Sequence, residues 1–420
     1  MKLDAPANPN YAATVVRLPA LVPLEGADFL VGAPLFGFQA IVSKDHQPGE
    51  LGVVFPAETQ LSDELCRENN LYRHAEKNKD DEQGYLEDSR RVRAIKLRGH
   101  RSDCLWLPIQ SLAYTGADLS GLNVGDTFDQ LNGHRICKKY VVRQPSVGPK
   151  GPTPKVVRVD PRLFPPHLET ENYWKNSHLI DPDALVWVTQ KIHGTSWRGT
   201  RTLVRRHLTL RDRIAQRLRV RVSESEWDTV AGSRKVVKDP HDPTQHHYYE
   251  RDVWTEWLDK VEHLIPGGYV FYGEIVGWAN ESTPIQANYT YHLPPGRSQL
   301  YIYRVAVVND QGLSVDLTWP QVREFCASIG LRTVPTLWSG PHSAFKPEGW
   351  LDRRFWPEYQ EALPLDGGPS IVDEGVCVRA DGLTPTILKA KSPIFLAHES
   401  KLLDKGVADM ESVANEAVGA

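Results

Sequence analysis

Short apolar runs, each bounded by glycine, proline or charged residues, recur from residue 11 to residue 145. Examples are Phe36–Val42, Leu51–Phe55, Arg91–Leu97 and Cys104–Leu107. Runs of this length with turn-forming residues between them are typical of short β-strands. Because many short strands in succession usually form a small barrel or sandwich, we expect a barrel-like domain over residues 1–150.

The pattern changes after this region. Residues 151–166 are rich in proline, glycine and lysine, which indicates a linker or a surface arm, with an ordered loop packed on the barrel as an equal alternative. From residue 167 onward, strands and helices alternate irregularly, as in an α+β domain. The predicted strands are Leu185–Thr189, Tyr269–Val276, Leu300–Val308, Val376–Arg379 and Thr386–Lys391. Ser392 and Pro393 then resemble the start of a final helix that runs towards Ala417.

Length and composition restrict the class of protein. A chain of 420 residues suggests two or three domains. The net charge of −4 excludes a uniformly basic protein but permits a local basic patch that binds nucleic acid. The five cysteines are scattered and form no C-x-x-C, there is no apolar run of membrane-spanning length, and the N-terminus lacks a signal-peptide core. We therefore expect a cytoplasmic protein, with a monomer as the default state.

The segment Thr189–Ser196, TQKIHGTS, is the strongest chemical signal. Lys191 follows an apolar strand directly, and Gly194 would let the backbone approach a ligand closely. A lysine with a glycine three residues later is a weak signal alone, and a lysine that simply extends from a strand end is the alternative.

Five further elements follow in order. They are Arg234 behind a Gly-Ser turn, Glu274 within a strand, Tyr301 and Tyr303 on one strand face, Glu374 at a strand start, and the pair Lys389 and Lys391. An ionised carboxylate in a strand is costly to bury unless it is paired. Two lysines two residues apart share a strand face and repel each other, and an anion between them removes that repulsion.

In this order, the set resembles the covalent nucleotidyltransferases, which are the RNA ligases, DNA ligases and mRNA-capping enzymes. The resemblance covers residues 185–391. His193 makes the motif most similar to the nick-sealing RNA ligases, since DNA ligases and capping enzymes usually have Asp there. Only 29 residues follow Lys391, too few for the C-terminal OB-fold of those other classes. The barrel-like region in front instead resembles the N-terminal OB-fold of the Deinococcus-type RNA ligase.

This resemblance implies an α+β fold, with an OB-like β-barrel over 1–150 that binds RNA. A nucleotidyltransferase domain of antiparallel sheets with flanking helices would occupy 167–420. The implied activity is ATP-dependent sealing of 3′-OH and 5′-phosphate RNA ends in a bacterium or phage. Nicks in duplex RNA or in an RNA–DNA hybrid are the expected substrates, and lysyl-AMP and RNA-adenylate are the expected intermediates.

The resemblance also implies residue roles. Lys191 would be the nucleophile, Lys389 and Lys391 would hold the α-phosphate, and His193 would lie near the metal and phosphates. Glu374 would bind Mg²⁺ or Mn²⁺, because hard divalent ions prefer oxygen ligands.

The adenosine of ATP has its own expected contacts. Arg234 and Glu274 would bind the ribose hydroxyls, and Tyr303 would stack on adenine, with Tyr301 as the alternative. Gln190 and Gly194, on either side of the nucleophile, complete the expected nucleotide-binding set.

The sequence departs from the family pattern at four positions. These are Gln190 where many relatives have Glu, Ser196 where Asn is typical, Arg304 where Asp is common and Arg379 where Lys is common. In addition, Arg198–Arg221 holds nine arginines and one acidic residue. This segment predicts contacts to RNA phosphates, with a solvated helix face as the alternative.

Three other functions compete with RNA ligation. One is an RNA-binding protein on an inactive nucleotidyltransferase scaffold, which would form no lysine adduct. Another is a DNA ligase or a capping-type enzyme. The third transfers AMP to an acceptor other than RNA, and would form the adduct without sealing.

Overall fold

The computed structural model describes residues 3–142, 158–206, 208–234, 236–238 and 251–406. The chain divides into two compact units. Unit 1 comprises Met1–Val142, Glu171–His178 and Leu388–Val407, and unit 2 comprises Arg143–Thr170, Leu179–Ile387 and Ala408–Ala420. Residues 151–157 of the predicted linker, and the predicted helix beyond Gly406, lie outside the described residues.

The strands of the first 178 residues are short. They are β1 (Ala13–Arg17), β2 (Val22–Pro23), β3 (Leu30–Leu35), β4 (Phe38–Ser43), β5 (Leu51–Pro56), β6 (Thr59–Leu61), β7 (Ile95–Leu97), β8 (His100–Ser102), β9 (Cys104–Pro108), β10 (Thr127–Phe128), β11 (Gln130–Leu131), β12 (His134–Arg135), β13 (Cys137–Lys139) and β14 (Glu171–Asn172).

Longer strands follow. They are β15 (Leu185–Gln190), β16 (Thr195–Arg205), β17 (Ser225–Gly232), β18 (Val237–Lys238), β19 (Tyr269–Gly277), β20 (Ser298–Val308), β21 (Ser314–Asp316), β22 (Arg332–Thr333), β23 (Thr336–Pro341), β24 (Gly375–Ala380) and β25 (Thr386–Lys391).

Helices are few and short. The α-helices are α1 (Asp63–Glu68), α2 (Tyr173–Asn176), α3 (Leu210–Arg217), α4 (Val253–Val261), α5 (Trp319–Ser328) and α6 (Pro393–Asp404). Short 3-10 helices span Pro9–Tyr11, Ala75–Lys77, Ile109–Thr115, Leu119–Gly121, Ser177–Leu179, Glu262–Leu264, His342–Ala344 and Pro347–Trp350.

Unit 1 is built from small sheets. A four-stranded antiparallel sheet has the order β10-β1-β5-β9, and a second sheet has the order β2-β3-β4. β14 lies parallel to β25, with Asn172 opposite Lys389. Alternating residues of β1 and β5, such as Val15, Val53 and Phe55, point into an apolar core with Phe128.

Helix α6 packs within unit 1. Ser392 caps its first turn by accepting a hydrogen bond from the Phe395 N–H, and Pro393 occupies the first helical position, as the sequence predicted. Near the other end of α6, the Ser400 hydroxyl donates to the carboxylate of Glu58. Burial raises the pKa of Glu58 to about 7.

Unit 2 contains the large sheet, with strand order β18-β17-β16-β19-β20-β21 and β22 beside β20. Helix α4 packs against β17, and α5 packs against β20 and β22. A further group of strands in unit 2 has the order β24-β15-β23, with β15 antiparallel to both neighbours.

The predicted α+β class is confirmed. The predicted strands over 185–391 coincide with β15, β19, β20, β24 and β25 within two residues at each end. The N-terminal strands form separate open sheets, and among the residues that the structure describes none of these sheets closes into a barrel. None of the described helices is long and apolar enough to cross a membrane.

Candidate active site

Lys191 is positioned by the end of a buried strand. β15 ends at Gln190, which lies opposite Val376 of β24, and the Lys191 N–H then donates to the Gly375 carbonyl at 3.0 Å. These pairings hold the backbone of Gln190 and Lys191 in place.

A carboxylate meets this lysine. Lys191 Nζ lies 2.9 Å from Glu374 Oε2, and His193 Nδ1 lies 3.6 Å from the same oxygen. The Glu374 side chain is only 2% exposed, so the ion pair offsets the cost of burying its charge. Three of the residues expected at the reaction centre thus lie together.

A pocket in unit 2 opens beside Lys191. Its lining includes five of the expected residues, which are Gln190, Lys191, Arg234, Glu274 and Tyr303. Leu168, Thr170, Thr189, Ile192, Ser196, Tyr272, Arg304, Trp319, Val334, Cys377, Arg379 and Ile387 complete it. The pocket thus joins apolar side chains and an aromatic ring to a few charged groups, as small-molecule sites commonly do.

The charged groups of the pocket are held by neighbours. Ser196 and Glu274 face each other across β16 and β19, and the Ser196 hydroxyl donates to Glu274 Oε2 at 3.4 Å. Arg234 Nη2 lies 3.1 Å from Glu169 Oε2. These two groups have the chemistry to bind hydroxyls, as expected for a ribose.

The structure separates the two tyrosine candidates. Tyr303 lines the pocket, and its hydroxyl lies 2.5 Å from His167 Nδ1. Tyr301 is 7% exposed and is not among the lining residues. A register shift between Tyr272 and Gly273 interrupts the regular pairing of β19 with β20 between these positions.

Arg304 and Arg379, two of the departures from the family pattern, are buried and each binds an aspartate. Arg304 binds Asp316 through two nitrogens, at 2.5 and 2.9 Å, and lies over the Tyr272 ring. Arg379 binds Asp381 at 2.6 Å and donates to the Leu317 carbonyl at 2.6 Å. Both arginines stiffen the pocket wall, which the sequence pattern did not indicate.

Gln190 is used structurally as well as lining the pocket. Its amide nitrogen donates to Asp373 Oδ1 at 2.6 Å, and its carbonyl accepts from the Leu363 N–H at 2.8 Å. The Phe355 N–H donates to the other oxygen of Asp373, and burial raises the pKa of this carboxyl to about 6. Asp373 was missed by sequence reasoning, although it directly precedes Glu374.

Gly194 serves a close approach between strands. A Cβ at this position would lie 2.2 Å from the Ile275 carbonyl oxygen and 3.0 Å from Glu274 Cγ. Gln286 Nε2 also donates to the Gly194 carbonyl at 2.9 Å. The backbone that Gly194 approaches is therefore β19, whereas the sequence predicted an approach to a ligand.

Two tyrosines hold the loop after Lys191, and sequence reasoning missed both. The His193 N–H donates to Tyr291 Oη at 2.6 Å, and the His193 ring packs edge-on against Tyr289 at 5.0 Å. The Tyr289 hydroxyl donates to the Val372 carbonyl at 2.9 Å, next to the segment that carries Glu374. Nothing in the run QANYTYH marks these side chains as different from ordinary core tyrosines.

Lys389 and Lys391 lie in unit 1. They alternate on β25 with buried Leu388 and Ala390, so they share a strand face as predicted. Both line a pocket of unit 1 together with Lys175, and Lys391 Nζ lies 3.8 Å from Glu399 Oε2.

The arginine-rich segment is not one uniform surface. Arg198 is buried in β16, where it donates to the carbonyls of Phe164 and Ser233, and burial lowers its pKa to about 10. The segment was predicted as one arginine-rich helix, but its first part is strand β16 and only Leu210–Arg217 is helical. Arg198 is bound inside the protein, and the predicted phosphate contacts of the other arginines stay a prediction. The exposed arginines of the segment lie on β16, on α3 and just after α3.

The donor set at Glu374 can be tested against a divalent ion. The residues that the structure describes contain no cluster of three or more His, Cys, Asp or Glu side chains placed to hold a metal. A buried carboxylate with one nearby imidazole fits Mg²⁺ or Mn²⁺ only if phosphate oxygens and water supply the remaining ligands. Magnesium sites of phosphate-handling enzymes commonly have this composition.

Comparison with known proteins gives one family-model match and a shared fold. Residues 184–391 match the family model described as RNA ligase. No curated protein matches the sequence. A solved structure of a Naegleria gruberi RNA ligase mutant in its apo form is 17% identical, with a TM-score of 0.59, over 94% of this chain and 99% of that one.

Two further structures of the Naegleria gruberi RNA ligase agree. The form with PPi is 16% identical and has a TM-score of 0.60. The match covers 93% of this chain and 98% of that one. A mutant with ATP and Mn is 16% identical and has a TM-score of 0.57. That match covers 93% of this chain and 99% of the mutant's chain. The family match begins just before β15 and ends at Lys391, so it includes Lys191 and the pocket-lining residues other than Leu168 and Thr170. By this match, the chain is an enzyme similar to the RNA ligases.

Proposed function

We propose that this chain is an ATP-dependent RNA ligase that seals 3′-OH/5′-phosphate breaks through a covalent Lys191–AMP intermediate. The observation that carries the proposal is the ion pair of Lys191 with buried Glu374 at the mouth of a pocket suited to a nucleoside. Support comes from the family match and from similar structures that contain ATP and Mn or AMP and Mn.

The first step forms a bond between Lys191 Nζ and the α-phosphorus of ATP, and pyrophosphate leaves with the electron pair of the broken P–O bond. Lysine must lose a proton before it attacks, because an ammonium group has no lone pair. An oxygen of the RNA 5′-phosphate next attacks the adenylyl phosphorus and releases lysine. The RNA 3′-OH then attacks the activated 5′-phosphorus, loses its proton and expels AMP.

The pocket residues have distinct proposed tasks. Tyr303 stacks on adenine, Glu274 and Arg234 bind the ribose hydroxyls, and Lys389 and Lys391 neutralise phosphate charge. Gln190 and Gly194 hold the nucleophile strand and the turn after it, and His193 lies beside Glu374.

Glu374, with His193 beside it, would hold a Mg²⁺ or Mn²⁺ ion. Such an ion would neutralise charge at the phosphates. Within the chain, Tyr291 and Tyr289 keep the two loops that carry His193 and Glu374 in place.

For residues 1–150 we propose an OB-like part that binds RNA. Its small antiparallel sheets and the exposed basic hairpin of β7 and β8, with Lys96 and Arg98, support this role. The expected substrate is a nick in duplex RNA or in an RNA–DNA hybrid.

A sealing assay tests the proposal. Nicked duplexes with 3′-OH and 5′-phosphate ends would carry an RNA or a DNA strand at the nick, opposite RNA or DNA, with ATP or GTP. We expect sealing of RNA nicks with ATP, and none by Lys191→Ala. Preferred sealing of DNA nicks, or use of GTP alone, would replace this proposal with a DNA ligase or a capping-type enzyme. Adduct formation without sealing of any nick would indicate another AMP acceptor.

A further inference from the structure

Helix α3 projects from the large sheet of unit 2 between β16 and β17. Thr209 and Asp212 close its N-terminus with a reciprocal capping box. None of the side chains of α3 is buried. The capping box therefore stabilises a helix that contributes nothing to the core, which indicates that its side chains serve an outside partner.

One face of this helix is an exposed apolar ridge. Leu210, Ile214 and Leu218 are spaced four residues apart and so lie on one side of the helix, where they are 75%, 51% and 72% exposed. The opposite side is tied to the protein, because Asp212 binds Arg206 at 2.8 Å and Gln216 donates to Glu224 at 2.9 Å. The ridge must therefore face away from the sheet.

Arginines stand on both sides of the ridge. At about 100° per residue, Arg211 lies about 60° to one side of Ile214, and Arg217 about 60° to the other. Arg213 extends the second side, and all three are exposed. The one acidic residue of the helix, Asp212, points the other way and is paired. The surface is thus an apolar strip with Arg211 on one side and Arg213 and Arg217 on the other.

The strands that carry α3 continue this chemistry. Arg201 and Arg205 are exposed on β16, and Trp227 of β17 lies directly opposite Leu203 and is 49% exposed. Directly opposite residues of an antiparallel pair project to the same face. A basic and partly apolar surface therefore extends beyond the helix itself.

We propose that the α3 ridge docks in the minor groove of an A-form RNA duplex, a reading that rests on the proposed RNA ligase function. That groove is wide and shallow, and it displays ribose 2′-hydroxyls and base edges between two rows of phosphates. Leu210, Ile214 and Leu218 would lie on the riboses, while Arg211 and Arg217 reach phosphates of opposite strands. Charge complementarity selects a polyanion, and a ridge of three large side chains fits a wide, shallow groove rather than a deep, narrow one.

Binding to an intact RNA duplex, without a nick and without ATP, tests this inference separately from catalysis. In Arg211→Ala/Arg213→Ala/Arg217→Ala, we expect at least tenfold weaker duplex binding near physiological salt. The slope of log K against log salt should fall by about 2 to 3, since roughly 0.9 counterions are released per phosphate contact. The matched control Arg162→Ala/Arg323→Ala/Arg332→Ala removes the same charge from exposed positions of unit 2 and should bind normally.

A ridge variant tests the apolar half of the inference. In Leu210→Ser/Ile214→Ser/Leu218→Ser, duplex RNA binding should weaken severalfold, while binding to B-form DNA of the same length should not change. Equal loss on RNA and DNA would overturn the minor-groove assignment, as would no loss on either. An arginine variant indistinguishable from its control would overturn the docking surface altogether.

Transfer of AMP to Lys191 in these same variants separates the two proposals. Normal adduct formation shows that the variants are folded and active, so a binding defect then belongs to α3. Absence of the adduct from the unmodified protein would instead refute the ligase proposal on which this one rests.

Discussion

Lys191 and Glu374 form an ion pair that suits the buried carboxylate but not a lysine that attacks phosphorus. The buried carboxylate needs a cation, and the lysine at 2.9 Å supplies it. An ammonium group has no lone pair and cannot attack phosphorus. In the proposed reaction, the lysine must therefore leave the carboxylate and lose a proton before it attacks.

Gln190→Glu tests why an amide precedes the nucleophile in this chain. A carboxylate at this position would face Asp373 at hydrogen-bond distance in a buried site. We expect a loss of about 1–3 kcal/mol in the free energy of unfolding at pH 8. The loss should shrink towards pH 5, where a shared proton restores the hydrogen bond. Urea unfolding at the two pH values measures the difference.

The second-site variant Gln190→Glu/Asp373→Asn provides the control. It exchanges the amide and the carboxylate, so the stability at pH 8 should return. If Gln190→Glu alone is as stable as the unmodified protein at pH 8, the proposed role of the Gln190–Asp373 hydrogen bond is wrong.

Tyr291→Phe tests the support of the loop after Lys191. Loss of the hydroxyl removes the acceptor 2.6 Å from the His193 N–H. A hydrogen bond of this kind contributes about 0.5–1.5 kcal/mol, so lysine adenylylation should slow by up to about tenfold. Tyr291 is not among the pocket-lining residues, so the KM for ATP should change little.

Tyr269→Phe is the matched control for the kinetic measurement, since it removes a hydroxyl from the start of β19. A rise in KM with an unchanged rate in Tyr291→Phe would contradict the positioning role. So would equal effects of the two substitutions.

Residue identities in the pocket could be predicted only where a motif marked them. Lys191 and Glu374 stand next to recognisable strands, and the structure brings them together. Tyr303 and Tyr301 could not be distinguished, because a register shift in the β19–β20 pairing has no sequence signature. Tyr291 and Asp373 act on the motif from distant parts of the chain, which a local pattern cannot show.

At the scale of elements, the turn between β15 and β16 depends on a close contact. A Cβ on Gly194 would lie 2.2 Å from the Ile275 carbonyl oxygen, so this turn must move away from β19 in Gly194→Ala. We expect a loss of about 1–3 kcal/mol in the free energy of unfolding, and a large decrease in the rate of lysine adenylylation. Chemical denaturation and adenylylation rates measure the two effects.

Gly349→Ala provides the control, because a Cβ there has open space around it. Equal stability and activity of the two alanine variants would contradict the account of this turn.

Elements with a clear pattern were predicted well. The boundaries of β25 coincide with the predicted Thr386–Lys391, and β15 extends its prediction by one residue. The run Arg91–Leu97 forms a strand only at Ile95–Leu97, because Arg91 turns inward to reach Ser400 and Asp404 of α6. Contacts between residues about 300 positions apart cannot be inferred from local periodicity.

At the scale of the whole molecule, the stability should depend on pH through Glu58 of unit 1. Its pKa is raised to about 7 chiefly by burial, although Arg91 opposes this shift. The folded protein therefore holds a proton that the unfolded chain releases between about pH 4.5 and pH 7. The free energy of unfolding should fall over this interval by about 3 kcal/mol from this group, and then level off.

Glu58→Gln should remove that contribution, since an amide does not titrate. Relative to the unmodified protein, the variant should gain stability as the pH rises from 5 to 8. Guanidinium unfolding curves across this range, followed by tryptophan fluorescence, measure the difference. A pH dependence that is the same in both proteins would contradict the assignment to Glu58.

The proposed Lys191–AMP intermediate is tested by incubation with α-labelled ATP and Mg²⁺ or Mn²⁺, followed by denaturing electrophoresis and peptide mapping. We expect a labelled band in the unmodified protein and in the exposed-lysine control Lys346→Ala. We expect no band in Lys191→Ala, and we expect AMP to map to Lys191. A folded protein free of bound AMP that gives no label with either metal would contradict the account, as would a label that persists in Lys191→Ala.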